Sequence, residues 1–89
     1  MPGLDGRSRI ATVETIQIYP NPTHGFLNLK QPFDYGMIHI KDLKGQTLRS
    51  VELLSKDVIH IDVSGLPQGM YSIHVLGQNK ILSDLFVIQ

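Results

Sequence analysis

The chain has no cysteine and no tryptophan, only three phenylalanines and three tyrosines, and no surplus of either charge. Each shortage removes a class of explanation. Without cysteine there is neither a disulfide framework nor a thiolate metal site, so stability has to come from packed apolar faces. Eight basic residues balance eight acidic ones, and the lysines at 30, 41, 44, 56 and 80 form no run. The clustered cationic footprint of a nucleic-acid binder is therefore missing. The longest apolar stretches, residues 58–61 and 85–88, fall far short of the roughly 20 residues that a membrane-spanning helix needs. Residues 1–11, "MPGLDGRSRIA", have no apolar core of the kind a secretory leader carries. If the domain is exported, its leader is expected elsewhere, on a longer precursor.

What is present is a short chain of 89 residues, one domain with a thin core, since a chain of this size buries only about two-thirds of its unfolded surface. Residues 1–12, with Pro2, Gly3 and Gly6, read as a linker or tail, and residues 13–89 as the folded unit. From Val13 onward the apolar period is two: Ile16 and Ile18; Phe26, Leu27 and Leu29; Ile38 and Ile40; Leu48 and Val51; Ile59, Ile61 and Val63; Ile73 and Val75; Ile81 to Ile88. Turn chemistry separates these runs: "KDLKGQ" with Gly45, "SGLPQGMY" with Pro67 and Gly69, and "GQNK" at 77–80. No segment keeps a 3.6 period. About seven short strands with frequent turns point to an all-β fold, an antiparallel sandwich of immunoglobulin-like type.

The stretch "IYPNPTHGFLNLK", residues 18–30, is the most unusual local feature. Each proline removes an N–H and pushes the residue before it out of the α region, so Tyr19 and Asn21 are held extended. Gly25 permits a reversal into Phe26, and the Asn21 side chain is expected to bond nearby backbone. A rigid strand-to-strand corner with a buried Tyr19 accounts for this stretch taken alone.

Catalytic and metal chemistry find little support. His39, His60 and His74 each lie between aliphatics, and alternation turns all three away from the core. On neighbouring strands they would make an imidazole cluster able to bind zinc, but solvent-facing polar positions explain them as well. His60, Asp62 and Ser64 lie two apart on one strand and cannot meet as base, orienter and nucleophile. Asp57 and Asp62 as a carboxylate pair show no sign of a pocket, and Gly65 and Gly69 sit in turns rather than in a phosphate loop. No catalytic residue and no cofactor is expected.

Three motifs in order carry a resemblance. "IYPNPTHGFLNL", then "MIHIKDLKGQTL", then "VIHIDVSGLPQGMYSIHV", followed by a last apolar strand, are together similar to the C-terminal sorting domain of type IX secretion cargo in Bacteroidetes. The similarity covers residues 16–89. The first box is Tyr19, Pro20, Asn21, Pro22, Thr23 and Gly25, the hairpin is Asp42 and Gly45, and the third element is Ile61, Asp62, Ser64, Leu66, Gly69 and Tyr71. One departure is that family members commonly carry a lysine in the last few residues, whereas here the last lysine is Lys80 and the sequence closes on Gln89.

The resemblance implies an address label. The precursor enters the periplasm by a separate N-terminal signal, an outer-membrane translocon recognises the folded domain, and a sortase-like protease removes it. In many cargoes the new end is then joined to a surface lipopolysaccharide. The implied partners are the translocon, that protease and a cargo attached on the N-terminal side. Leu85, Phe86, Val87 and Ile88 are expected to be read by the translocon, on a last strand lying at or near a sheet edge with unpaired backbone groups. "LFVI" also fits a strand buried on both faces, and the two readings stand side by side.

Residues 7–15, ahead of the Tyr19 corner, are the expected cleavage region. The Tyr71 ring is expected to be buried with its hydroxyl bonded to backbone. The competing function is an immunoglobulin-like accessory or adhesion module that binds carbohydrate or protein and stays on the mature chain. Such a module should display an aromatic platform, whereas most of the six aromatics fall at strand positions that a core would claim.

Overall fold

The computed structural model describes residues 14–89 and is all-β. The tail at residues 1–12 and most of the expected cleavage region lie outside the described residues. Seven strands follow in order: β1 (Gln17–Tyr19), β2 (Phe26–Lys30), β3 (Gly36–Lys41), β4 (Thr47–Leu53), β5 (Ile59–Asp62), β6 (Gly69–Gly77) and β7 (Lys80–Ile88). They form two antiparallel sheets, one ordered β1-β2-β5 and the other β4-β3-β6-β7, consistent with an immunoglobulin-like sandwich. None of the described residues is helical, so no helix among them is long and apolar enough to cross a membrane.

Alternation decides which face each strand buries. On β2, Leu27 and Leu29 are fully buried, and on β6 so are Ile73 and Val75. Ile38 and Ile40 of β3 complete the inner face of the larger sheet with Phe86 and Ile88 of β7. The two inner faces close on each other, and at about 25 cal/mol per Å² of apolar area removed from water this packing is the main stabilising term available to a chain without disulfides.

The turns use the residues that their geometry requires. Asn79 takes φ 67° in the two-residue loop that joins β6 to β7, a left-handed conformation that asparagine tolerates. Next to this loop, where β3 begins and β6 ends, Gly36 lies directly across from Gly77. The Phe33 ring fills the space where a Gly77 side chain would stand, since a Cβ there would meet the ring at 2.2 Å. Gln31, the buried polar residue beside it, is satisfied on both sides. Its Oε1 accepts the Phe33 N–H at 2.6 Å, and its Nε2 donates to the Ser55 carbonyl at 3.1 Å.

Candidate functional site

Two of the three motifs close on themselves. In the first of these, Asp42 Oδ1 accepts the N–H groups of Lys44 and Gln46, both at 2.9 Å, and the Gly45 N–H donates to the Asp42 carbonyl at 3.0 Å. Gly45 has φ 89°, so the glycine supplies the left-handed residue that the turn demands. In the second, Asp62 Oδ1 accepts the Ser64 N–H at 2.8 Å and Gly65 takes φ 85°. The bonds to Ser64, assisted by the Arg49 charge, hold the Asp62 carboxyl below its ordinary pKa. Arg49 also donates from Nη2 to the Ser64 carbonyl at 3.0 Å, tying this turn to β4.

The rest of the second motif faces inward. Ile61 is buried opposite Leu27, and Leu66 packs half-buried against the core. Gly69 opens β6 opposite Ile88. The Tyr71 ring is buried and stacks on Phe86 with centroids 5.8 Å apart, and its hydroxyl donates to the Pro67 carbonyl. The hydroxyl thus finds the backbone partner that a buried tyrosine requires.

The Tyr19–Gly25 box behaves differently. Its two prolyl peptide bonds, Tyr19–Pro20 and Asn21–Pro22, are cis. Asn21, expected to bond locally, reaches instead across 66 residues: its Oδ1 accepts the Val87 N–H at 3.0 Å. Thr23 then runs parallel to the end of β7 at Ile88. Its N–H donates to the Val87 carbonyl at 2.8 Å, and its own carbonyl accepts the Gln89 N–H at 2.9 Å. Thr23 is fully buried, and its hydroxyl donates to the Phe26 carbonyl. His24 Nδ1 lies 3.1 Å from the Gln89 carbonyl oxygen. Residues 21–24 therefore form an arm laid along the last strand.

Gly25 does not have positive φ, so the reversal does not depend on it; its carbonyl accepts the Val63 N–H at 3.0 Å. Tyr19, expected to be buried, is 44% exposed, because it lies opposite Asn28 on the outer face of the smaller sheet. Phe26 and Tyr35 are also exposed, at 55% and 62%, so only Phe33, Tyr71 and Phe86 belong to the core. Half of the aromatics thus escape the core that was expected to claim most of them.

β7 is an edge strand, outermost in the larger sheet. It is not buried on both faces: Phe86 and Ile88 point into the core, Val87 is half-buried, and Leu85 is exposed. Of the four residues expected to be read on this strand, Leu85 offers the most open side chain, and Val87 has its backbone engaged by the arm. The signal for this pairing was faint in the sequence, because it depends on the register of strands far apart in the chain.

Other candidate chemistry disperses. His39 and His74 do face each other across β3 and β6, each bonded to a serine, with His39 Nδ1 2.8 Å from Ser50 Oγ and His74 Nε2 2.9 Å from Ser72 Oγ. His60 lies on β5 of the other sheet. Among the described residues no three of His, Asp and Glu converge on a point where a metal could sit. Partial burial, followed by the charges of Lys41 and His39, pushes the His74 pKa down. A shallow depression of about 210 Å³, lined by Thr15, Gln17, Lys30, Gln31 and Pro32, is smaller than the roughly 300 Å³ at which small-molecule pockets begin.

Comparison with known proteins agrees with the geometry. No curated protein matches the chain. The family model described as "Secretion system C-terminal sorting domain" matches residues 17–89, which span all seven strands, both turn motifs and the arm. The chain belongs to the family of C-terminal sorting domains of the type IX secretion system.

Proposed function

We propose that this domain is the export label of a longer protein: cargo joined on its N-terminal side is carried from the periplasm across the outer membrane, and a sortase-like protease then separates cargo from label. The family assignment makes the domain a type IX sorting signal, with export to the cell surface or medium as its consequence. The observation that carries the finer reading is the junction of arm and last strand. Asn21 and Thr23 belong to the first motif and Val87 to the last strand, yet hydrogen bonds join them into one junction. A receptor that contacts this junction tests whether the whole domain is folded, since the junction exists only when both ends of the chain are in place. The other motif residues, Asp42, Gly45, Asp62 and Tyr71 among them, serve recognition by shaping the sandwich. No catalytic step is assigned to the domain; any enzymatic activity belongs to the cargo.

Our reading sets cleavage upstream of Ile16, the first of the described residues to be buried in the core, because a protease needs extended, accessible backbone. Glu14 pairs with Lys80 beside the β6–β7 hairpin. The chain therefore enters the domain at the start of β7, and the arm closes on the other end of that strand.

The test is export of a periplasmic reporter fused to residues 13–89 in a type IX-competent cell. The reporter should reach the surface or medium, and deleting residues 82–89 should trap it in the periplasm. Equal export of the truncated fusion would contradict the role of the last strand. The retained adhesion module gains one specific support, since Tyr19 and Phe26 project from the same outer face of β1 and β2, as an aromatic platform would. Sequencing the new N-terminus after secretion separates the two readings. Surface cargo with the domain still attached favours the adhesion module, and a released domain that begins upstream of Ile16 favours the label.

A further inference from the structure

The outer edge of β7 is divided in two. Along an antiparallel strand successive residues direct their N–H and C=O groups alternately to one side and the other. Val87 aims both groups at the arm, and the register with β6 is unbroken from Lys80 to Ile88. Ile81, Ser83 and Leu85 share its parity and therefore aim theirs away from the sheet. Among the described residues no strand pairs with these three. The Leu85 N–H is taken by the side chain of its neighbour, donating to Asp84 Oδ1 at 2.8 Å. Asp84 has the parity of the core-facing residues Phe86 and Ile88, yet it is exposed. An inward-pointing charge on an edge strand discourages indiscriminate pairing. Beside it Ile81 and Leu85 stand 65% and 51% exposed.

We propose that residues 81–85 are a docking edge for an extended segment of the translocon, which adds as a fifth strand to the larger sheet, and that the arm is the stop that fixes where this segment ends. The proposal rests on the sorting-signal reading above. The arm is the observation that favours a strand as occupant: the same edge already holds an extended segment in register at Val87 and Ile88, so the lane that no described residue pairs with continues an existing interface. Five residues at about 3.3 Å each leave a lane of roughly 17 Å, long enough for one short strand. Main-chain bonds would supply affinity, and apolar side chains set beside Ile81 and Leu85 would supply specificity. A second copy fits less well. Antiparallel self-pairing about Ser83 places the two Asp84 carboxylates on one diagonal, where like charges repel.

Ser83→Pro tests this without cutting the sheet, because the N–H it removes points outward and proline is tolerated on edges. The measurement is export of the reporter fused to residues 13–89, alongside the melting temperature and light scattering of the isolated chain. Ser83→Pro should lower export to the level of the 82–89 deletion while leaving the folded domain intact. Ser83→Lys, which keeps the N–H and needs no backbone change, should impair export in the same direction, and Glu52→Lys on β4 at the opposite edge should export normally. Wild-type export by both Ser83 variants overturns the docking edge and leaves the sorting reading standing. A dimeric wild type that Ser83→Pro converts to monomer overturns the proposal in favour of a second copy. An unmodified fusion that stays in the periplasm overturns the sorting reading, and the docking edge with it.

Discussion

The turn at Asp42 and the arm at Asn21 are built from similar residues, a short polar side chain followed by a glycine within four positions, but they spend their hydrogen bonds at opposite ranges. Asp42 Oδ1 bonds N–H groups two and four residues away, whereas Asn21 Oδ1 bonds one 66 residues away. The first organises a hairpin that could form early and alone. The second exists only after the sheets have assembled. A motif of the first kind specifies local shape, and one of the second kind reports that the domain is complete.

The largest expected effect blurs this comparison on purpose. Tyr71 belongs to the second local motif by its bond to Pro67, yet its ring stacks on Phe86 of β7. Tyr71→Ala should cost about 3–5 kcal/mol in chemical denaturation. An unchanged midpoint would mean that the ring is not part of the core. Gly77→Ala should come next, at about 1–3 kcal/mol by overpacking, because the added methyl meets the Phe33 ring. Paired substitution with Phe33→Leu should recover part of the loss.

The contrast itself is sharpened by Asn21→Ala and Asp42→Ala. Leaving the Val87 N–H without its acceptor should cost about 1–3 kcal/mol and raise hydrogen exchange at Val87 and Gln89 while Lys44 and Gln46 keep their protection. Asp42→Ala should reverse that pattern and cost about 1 kcal/mol. Identical exchange profiles for the two variants would remove the distinction between local and long-range motifs.

The smallest effects are electrostatic. His74 titrates below its ordinary value of 6.5 in the folded state, so the unfolded chain binds more protons and stability falls as pH drops below 6.5. The groups facing His74 are His39 and Lys41 of β3, with Ser72 beside it and Ser83 across on β7. His74→Gln should flatten the stability profile in that range. Asp62 acts in the same direction in its own, lower window: its lowered pKa stabilises the fold above 3.8, and that contribution is lost as pH falls through the folded value. Asp62→Asn should remove it.

Much of the architecture could be read from residue types. Alternation in "LNL", "HI" and "SIHV" marks the buried faces because a pleated strand has a strict period of two. Asp42 with Gly45 and the Tyr71 hydroxyl were legible because their partners lie within four residues, where chain geometry leaves little choice; the turn at Asp62 was not, since Ser64 reads by alternation as a continuation of the strand that ends at Asp62. The arm was not. Nothing near Asn21 names Val87 as its partner, and local reasoning supplied a local bond instead. Tyr19 and Phe26 misled for a related reason, since which face a strand buries depends on the sheet it joins. The His39–His74 pairing likewise follows from a register between β3 and β6 that the intervening chain conceals.

The most direct test of the account is export of the reporter fusion carrying Asn21→Ala, measured beside Asp42→Ala and Asn21→Asp. If the junction of arm and last strand carries the sorting information, Asn21→Ala should hold the reporter in the periplasm. Asn21→Asp, which keeps an acceptor for the Val87 N–H, should restore export, and Asp42→Ala should be exported close to normally. Export of Asn21→Ala at the wild-type level, with the Val87 amide shown to be deprotected, would contradict the claim.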